Sequence, residues 1–165
     1  MEPRLAPIAE IFALNTDLLS NCLTGVSDAH GAERPLAATN SMAFLVAHLV
    51  DARHFALKLL GRPADNPLAP VLGNAAGIEE IDVLPPLSAL AAFWEEVSRR
   101  LDAAVEAATA PQLAAACDQK FPVRDPSLLG GLAFLAQHDS YHVGQLALLR
   151  KGLGYAAMEY TRAGA

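Results

Sequence analysis

The chain has 165 residues, of which 53% are hydrophobic and only 6% aromatic, and its formal net charge is −6. This length fits a single domain (1–165) that can bury a substantial core, and a composition rich in Ala and Leu favours helices over strands. The acidic balance, with 12 scattered basic residues, argues against a nucleic-acid partner, and no apolar run approaches the roughly 20 residues of a membrane span.

Four long amphipathic helices are predicted, at about residues 7–26, 41–60, 88–108 and 127–152. Pro7 opens the first helix, and Ser41 (or Asn40), Ser88 and Ser127 are suitable N-caps for the other three. With no convincing strand and no internal repeat, the sequence predicts an all-α protein with a four-helix bundle.

The inward faces follow from apolar residues at helical spacing. In the first helix they include Ile8, Ile11, Phe12, Leu18, Leu19 and Cys22. In the second helix they are Leu45, His48, Ala52, Phe55 and Leu59. In the fourth helix the face comprises Gly131, Phe134, Leu135, His138, His142, Gln145, Leu146 and Leu149. Histidines therefore interrupt two of the predicted core faces.

The connections also carry predictions. Residues 27–39 are expected to form a loop, and a short helical turn is predicted around 113–117. The connection 61–86 is long and rich in Pro, Gly and Asn, so it is either a lid or a crossover that places helices two and three parallel, and we favour the crossover. The tail 155–165 is expected to pack on the bundle or on a second subunit.

The N-terminus and the two cysteines bear on location. The segment from Met1 to Arg4 is not a positively charged region followed by an apolar block, which is the pattern of a secretory signal peptide, so a cytoplasmic location is expected. Cys22 and Cys117 form no C-x-x-C pair, and two free thiols are expected.

Three histidines form the candidate site. His138 and His142 are four residues apart, which places them about 40° apart around one helix, so both rings can reach one ion. His48 lies near the middle of its own helix and can supply a third ligand, whereas His30 and His54 are predicted outside the core faces. A single buried histidine is more often a hydrogen-bonded packing residue, but three on inward faces favour a site for zinc, nickel, iron or manganese.

Residues near the histidines have two interpretations each. Gln145, one turn beyond the pair, could hydrogen-bond a ligand ring or could simply pack. Asp51 is either a solvated acid or a partner of His48, and Gly144 is expected to allow close helix approach. A rival hypothesis takes Asp139 as the general base of an H-E-x-x-H-like motif, although aspartate is one methylene shorter than glutamate.

These residues carry a resemblance to a known family. Asn40-Ser41 opening a helix, His48 within it and the HDSYHVGQ segment from His138 to Gln145 resemble the DinB-like (DinB/YfiT) superfamily over nearly the whole chain. The resemblance implies a four-helix bundle with a long crossover between helices two and three. It also implies a divalent metal held by three histidines, which match His48, His138 and His142, and a homodimer.

The resemblance and the triad lead to two function hypotheses. The first is a metal-dependent enzyme acting on a small molecule, a thiol-dependent transferase or isomerase or a hydrolase, in which the metal activates a low-molecular-weight thiol or water. The alternative is a non-catalytic, stress-related metal or small-molecule binding protein with a structural metal.

Overall fold

The computed structural model describes residues 1–36, 38–73, 77–81 and 83–161. It contains seven α-helices among these residues, no β-strand and one 3₁₀ turn (Ile78–Glu80). In chain order the helices are α1 (Ala6–Leu23), α2 (Asp28–Ala32), α3 (Met42–Leu59), α4 (Ala69–Leu72), α5 (Leu87–Glu106), α6 (Ala110–Ala114) and α7 (Leu128–Gly152). The four long helices α1, α3, α5 and α7 confirm the predicted all-α four-helix bundle.

Two of the three predicted serine N-caps are present. The Ser41 and Ser127 side chains each accept a hydrogen bond from the backbone N–H three residues on. Ser88 is not a cap: α5 begins at Leu87, and the Ser88 hydroxyl donates to Asp28 instead. A proline precedes Leu87, and its fixed φ suits the start of a helix without any side-chain cap.

The crossover prediction for residues 61–86 is confirmed by the contacts at both ends of α3 and α5. Gln112, just after α5, donates to the Leu60 carbonyl at the end of α3. At the opposite ends, Ser41 and Leu87 line one cavity. The two helices are therefore parallel, and the connection 61–86, whose described parts include α4 and the 3₁₀ turn, joins the end of α3 to the start of α5.

Helices α3 and α7 are antiparallel neighbours. Leu45 near the start of α3 lines a cavity with Leu149 near the end of α7, whereas Arg53 in the second half of α3 meets Asp139. Because α1 packs on α5 and α7, and α3 packs on the same two helices, each long helix has two long neighbours.

The predicted inward stripe of α3 is rotated relative to the structure. The fully buried side follows Val46, Leu49, Val50, Arg53 and Leu57, whereas the predicted stripe through His48 is largely half-buried. Apolar residues surround most of α3, so their periodicity alone defines the inward side of this helix poorly, and Arg53 is not among the predicted core residues. Ile11 of α1, also predicted to face inward, is 42% exposed.

Shorter segments differ from their predictions in detail. The expected loop 27–39 contains α2, and the predicted turn at 113–117 is replaced by α6, which begins after a threonine and has Pro111 in its first turn. The tail packs on the bundle as far as Thr161, because Asn21 donates to the carbonyls of Glu159 and Thr161. None of the described helices is both long enough and apolar enough to cross a membrane.

Candidate metal centre

The three candidate histidines meet between α3 and α7. The Nε2 atom of His138 lies 3.0 Å from Nε2 of His48 and 3.2 Å from Nε2 of His142. Nitrogen ligands about 2.1 Å from one ion are about 3.0 Å apart at adjacent octahedral positions and about 3.4 Å apart at tetrahedral ones. Both separations are compatible with imidazoles that share one metal ion, and they are also hydrogen-bond distances; all three ligand nitrogens lie within 4.8 Å of one another.

The protonation states of the three imidazoles favour metal binding. Burial lowers the pKa of each ring, and for His138 the desolvation and the neighbouring His142 and His48 lower the pKa to about 4. Neutral imidazoles at pH 7 keep a nitrogen lone pair for a metal. The same three rings would repel one another if they were protonated.

Gln145 fixes the tautomer of His142. The Nδ1 of His142 lies 2.6 Å from Gln145 Oε1, and since an amide oxygen only accepts, Nδ1–H is the donor. The Nε2 atom of His142 then carries a lone pair and faces the other two rings. A hydrogen bond of this kind is the usual outer support of a metal-ligating histidine.

The hydrogen bonding of the three rings is incomplete at both nitrogens of His138, and an ion held through Nε2 would satisfy Nε2 but leave Nδ1 without a described partner. Nδ1 of His138 is buried and has no hydrogen-bond partner among the described residues. The Nε2 of His138 can form at most one N–H···N bond, although two Nε2 atoms lie within hydrogen-bond distance of it. A divalent ion would accept all three lone pairs at once, so the residues present fit such an ion.

One end of the groove between α3 and α7 is covered by an aromatic ring. Phe121, from the segment before α7, lies between Phe55 of α3 and Phe134 of α7, with ring centroids 6.3 and 5.2 Å apart respectively. Phe134 is one helical turn from His138, and their ring centroids are 6.3 Å apart. Three aromatic rings thus lead from this end of the groove to His138.

A cavity of about 220 Å³ lies at the other end, one turn beyond His142. None of its lining side chains carries a formal charge; they are Leu36, Ala38, Thr39, Asn40, Leu45, Gln145, Leu148 and Leu149. Gln145 connects the cavity to His142, because its Oε1 accepts from the ring while its amide NH₂ keeps two donors. The cavity is small and neutral, and among its lining residues Gln145 contacts a histidine of the group.

The other residues singled out from the sequence lie outside the group. Asp51 accepts a hydrogen bond from Asn66 at 2.6 Å, and its charge also acts to raise the pKa of His48, against the larger lowering by burial. A Cβ at Gly144 would have no neighbour within 4 Å, so the predicted close helix approach is wrong. His54 is half-buried, more so than predicted, and His30 Nδ1 lies 2.6 Å from the Tyr155 hydroxyl.

Asp139 does not face the metal centre. Its side chain is 2% exposed and pairs with Arg53 in the core at 2.9 Å, so the H-E-x-x-H-like hypothesis does not fit. Burial raises the pKa of Asp139 to about 6, a rise that the Arg53 guanidinium opposes. Sequence reasoning missed this pair; the available signal was that each charge has apolar neighbours four residues away on both sides.

Comparisons with known proteins identify the family of the chain and bear out its fold. The sequence profile of the DinB superfamily matches residues 11–146, which include all three histidines. Among solved structures, a crystal structure of a DinB-like protein (YjoA) from Bacillus subtilis is similar in fold, with a TM-score of 0.67. The sequences are 18% identical over 94% of this chain and 99% of that one. No curated protein matches the chain. On this profile match, the chain belongs to the DinB superfamily.

Proposed function

We propose that this protein is a divalent-metal-dependent enzyme that acts on a small molecule, with His48, His138 and His142 as the metal ligands. Zinc, nickel, iron and manganese all suit three neutral imidazoles. The ion would supply Lewis acidity, which lowers the pKa of a thiol or of water and so provides a nucleophile for a transferase, isomerase or hydrolase reaction.

The composition of the ligand group supports a catalytic rather than a structural ion. Only three side chains form the group in the described ranges, and no carboxylate or thiolate joins them. Structural zinc sites usually have four protein ligands, whereas catalytic sites have three and leave a position for substrate or water. The half-buried rings also leave the centre accessible from the side of the groove.

The proposed substrate site is the neutral cavity beside Gln145. Its volume of about 220 Å³ is below the range of about 300–1,000 Å³ usual for ligand pockets, so it fits only a very small molecule or one group of a larger one. Its lining favours an apolar group with hydrogen-bonding capacity over a strongly charged one. The Gln145 amide would orient the substrate, and Phe121 would exclude water from the opposite end of the groove.

Chelation separates the enzyme from the alternative, a binding protein whose metal joins α3 to α7. The protein should be loaded with each candidate metal and assayed with electrophiles plus low-molecular-weight thiols and with ester and amide panels, before and after chelation. An enzyme should lose activity on chelation and keep most of its fold. A large fall in melting temperature, with no activity in any metal-loaded form, would instead support a structural ion.

The homodimer, the absence of a nucleic-acid partner and the cytoplasmic location stay predictions.

A further inference from the structure

Arg53 connects all four long helices at the centre of the bundle. From α3 its guanidinium donates to the Phe12 carbonyl and the Thr16 hydroxyl of α1, to the Ser98 hydroxyl of α5 and to Asp139 of α7. The residue is 1% exposed, and its guanidinium carbon lies 3.6 Å from the centroid of the Trp94 ring. Such a set of contacts holds the guanidinium in one position.

The partner of Arg53 is adjacent to the metal ligands. Asp139 follows His138 directly and precedes His142 by three residues, while Arg53 lies five residues after His48. Asp139 points into the core, and His138, about 100° away around the helix, points into the groove. The rotation of α7 that brings Asp139 to Arg53 therefore also sets the direction of both histidines.

Apolar burial alone specifies this rotation weakly. The outward side of α7 is mixed, with Ala133 and Leu148 (59% exposed) beside the polar Gln137 and Ser140, so apolar burial fixes the rotation only coarsely. A rotation of only about 10° moves an atom about 7 Å from the helix axis by about 1 Å. Metal–ligand distances tolerate only about 0.2 Å.

A stabilising role would be a poor account of the pair. Desolvating two charges often costs as much as their attraction returns, and apolar replacements of similar volume are often neutral. A buried ion pair with fixed geometry can instead select one arrangement of the helices, and here that arrangement places three Nε2 atoms within 4.8 Å of one another.

We propose that Arg53 is a positioning residue for the metal centre: by holding Asp139 it fixes the rotation of α7 and so directs His138 and His142 towards His48. This inference rests on the proposed metal-binding function. It assigns the pair a role in metal affinity and coordination geometry, separate from any effect on stability.

The test uses the full-length protein with both charges removed, Arg53→Met with Asp139→Leu, which keeps the net charge and the approximate side-chain volume. Zn²⁺ affinity is measured by competition with a chromophoric chelator, and the absorption spectrum of bound Co²⁺ reports the coordination geometry. We expect Zn²⁺ to bind about 10- to 100-fold more weakly, as for other outer supports of metal ligands, and the Co²⁺ spectrum to change.

Two further variants complete the design. Val105→Ala, two helical turns beyond Ser98 in α5, removes core contacts away from the groove and should leave the Zn²⁺ affinity unchanged. Asp139→Asn keeps the shape of the side chain and one hydrogen-bond acceptor for Arg53. If the double variant does not fold, the Zn²⁺ affinity and Co²⁺ spectrum of Asp139→Asn test the inference instead. Wild-type affinity and spectrum in the folded variants would overturn the inference. Failure of the wild-type protein to bind Zn²⁺ would overturn the metal site itself.

Discussion

Removing one partner of the buried ion pair should destabilise the protein strongly. In Asp139→Ala the Arg53 guanidinium, 1% exposed, loses its counter-ion and has no path to solvent. Breaking a buried pair in this way costs about 3–5 kcal/mol. In a domain of this size, about 2–4 °C of melting temperature per kcal/mol gives a fall of about 6–20 °C.

The assay is denaturant and thermal unfolding followed by circular dichroism, with a chelator present so that metal binding does not contribute. Glu96→Ala is the matched control, because Glu96 also pairs with arginines at 2.8 and 2.6 Å but on the exposed surface, where ion pairs contribute little. The double variant Arg53→Met with Asp139→Leu should recover most of the loss. If Asp139→Ala unfolds no earlier than Glu96→Ala, the reasoning about the buried charge is refuted.

Three further predictions concern α7. Because the pKa of His138 is lowered to about 4, the unfolded imidazole binds a proton below about pH 6.5 that the folded one does not, and the stability of the protein falls as the pH drops towards 4. The urea midpoint of the metal-free protein should therefore fall less with decreasing pH in His138→Gln than in the wild type. An equal fall in both proteins would contradict this prediction. A Cβ in Gly131→Ala would lie 2.7 Å from the Phe121 ring, so the free energy of unfolding of this variant should be about 1–3 kcal/mol lower than that of the wild type. In Gly144→Ala the Cβ has open space, and the free energy of unfolding should rise by up to about 1 kcal/mol. Equal urea midpoints in the two variants would rule out the clash. Gln145→Leu should weaken Zn²⁺ binding about 10-fold or more, and an unchanged Kd in a chelator competition would show that the amide does not support its histidine.

The fold and the candidate ligands were predictable because their signals are local. Ser41 and Ser127 mark helix starts by their side-chain chemistry, and the length of 61–86 allows the favoured crossover, although it also allows a lid. The spacing of His138 and His142 places both rings on one side of a helix whatever that helix packs against. Only the meeting of this pair with His48 required a tertiary assumption, and the antiparallel contact of α3 with α7 provides it.

The rotations of α3 and α7 could not be predicted in the same way. Apolar residues surround much of each helix, so several faces satisfy a 3.6-residue period almost equally well. The deciding groups are polar: Arg53 and Asp139 are buried only because each has the other. A single sequence does not show that pairing, and charged residues are mostly found on the surface.

Metal titration of the triad variants tests the central claim most directly. Metal-free wild-type protein, His48→Ala and His54→Ala should each be titrated with Zn²⁺ and the bound metal measured by elemental analysis. His54 lies on the same helix but outside the group, so its variant controls for general effects of losing a histidine from α3. We predict one tightly bound ion per chain in the wild type and in His54→Ala, and none in His48→Ala. Equal stoichiometry and affinity in His48→Ala would contradict the three-histidine centre.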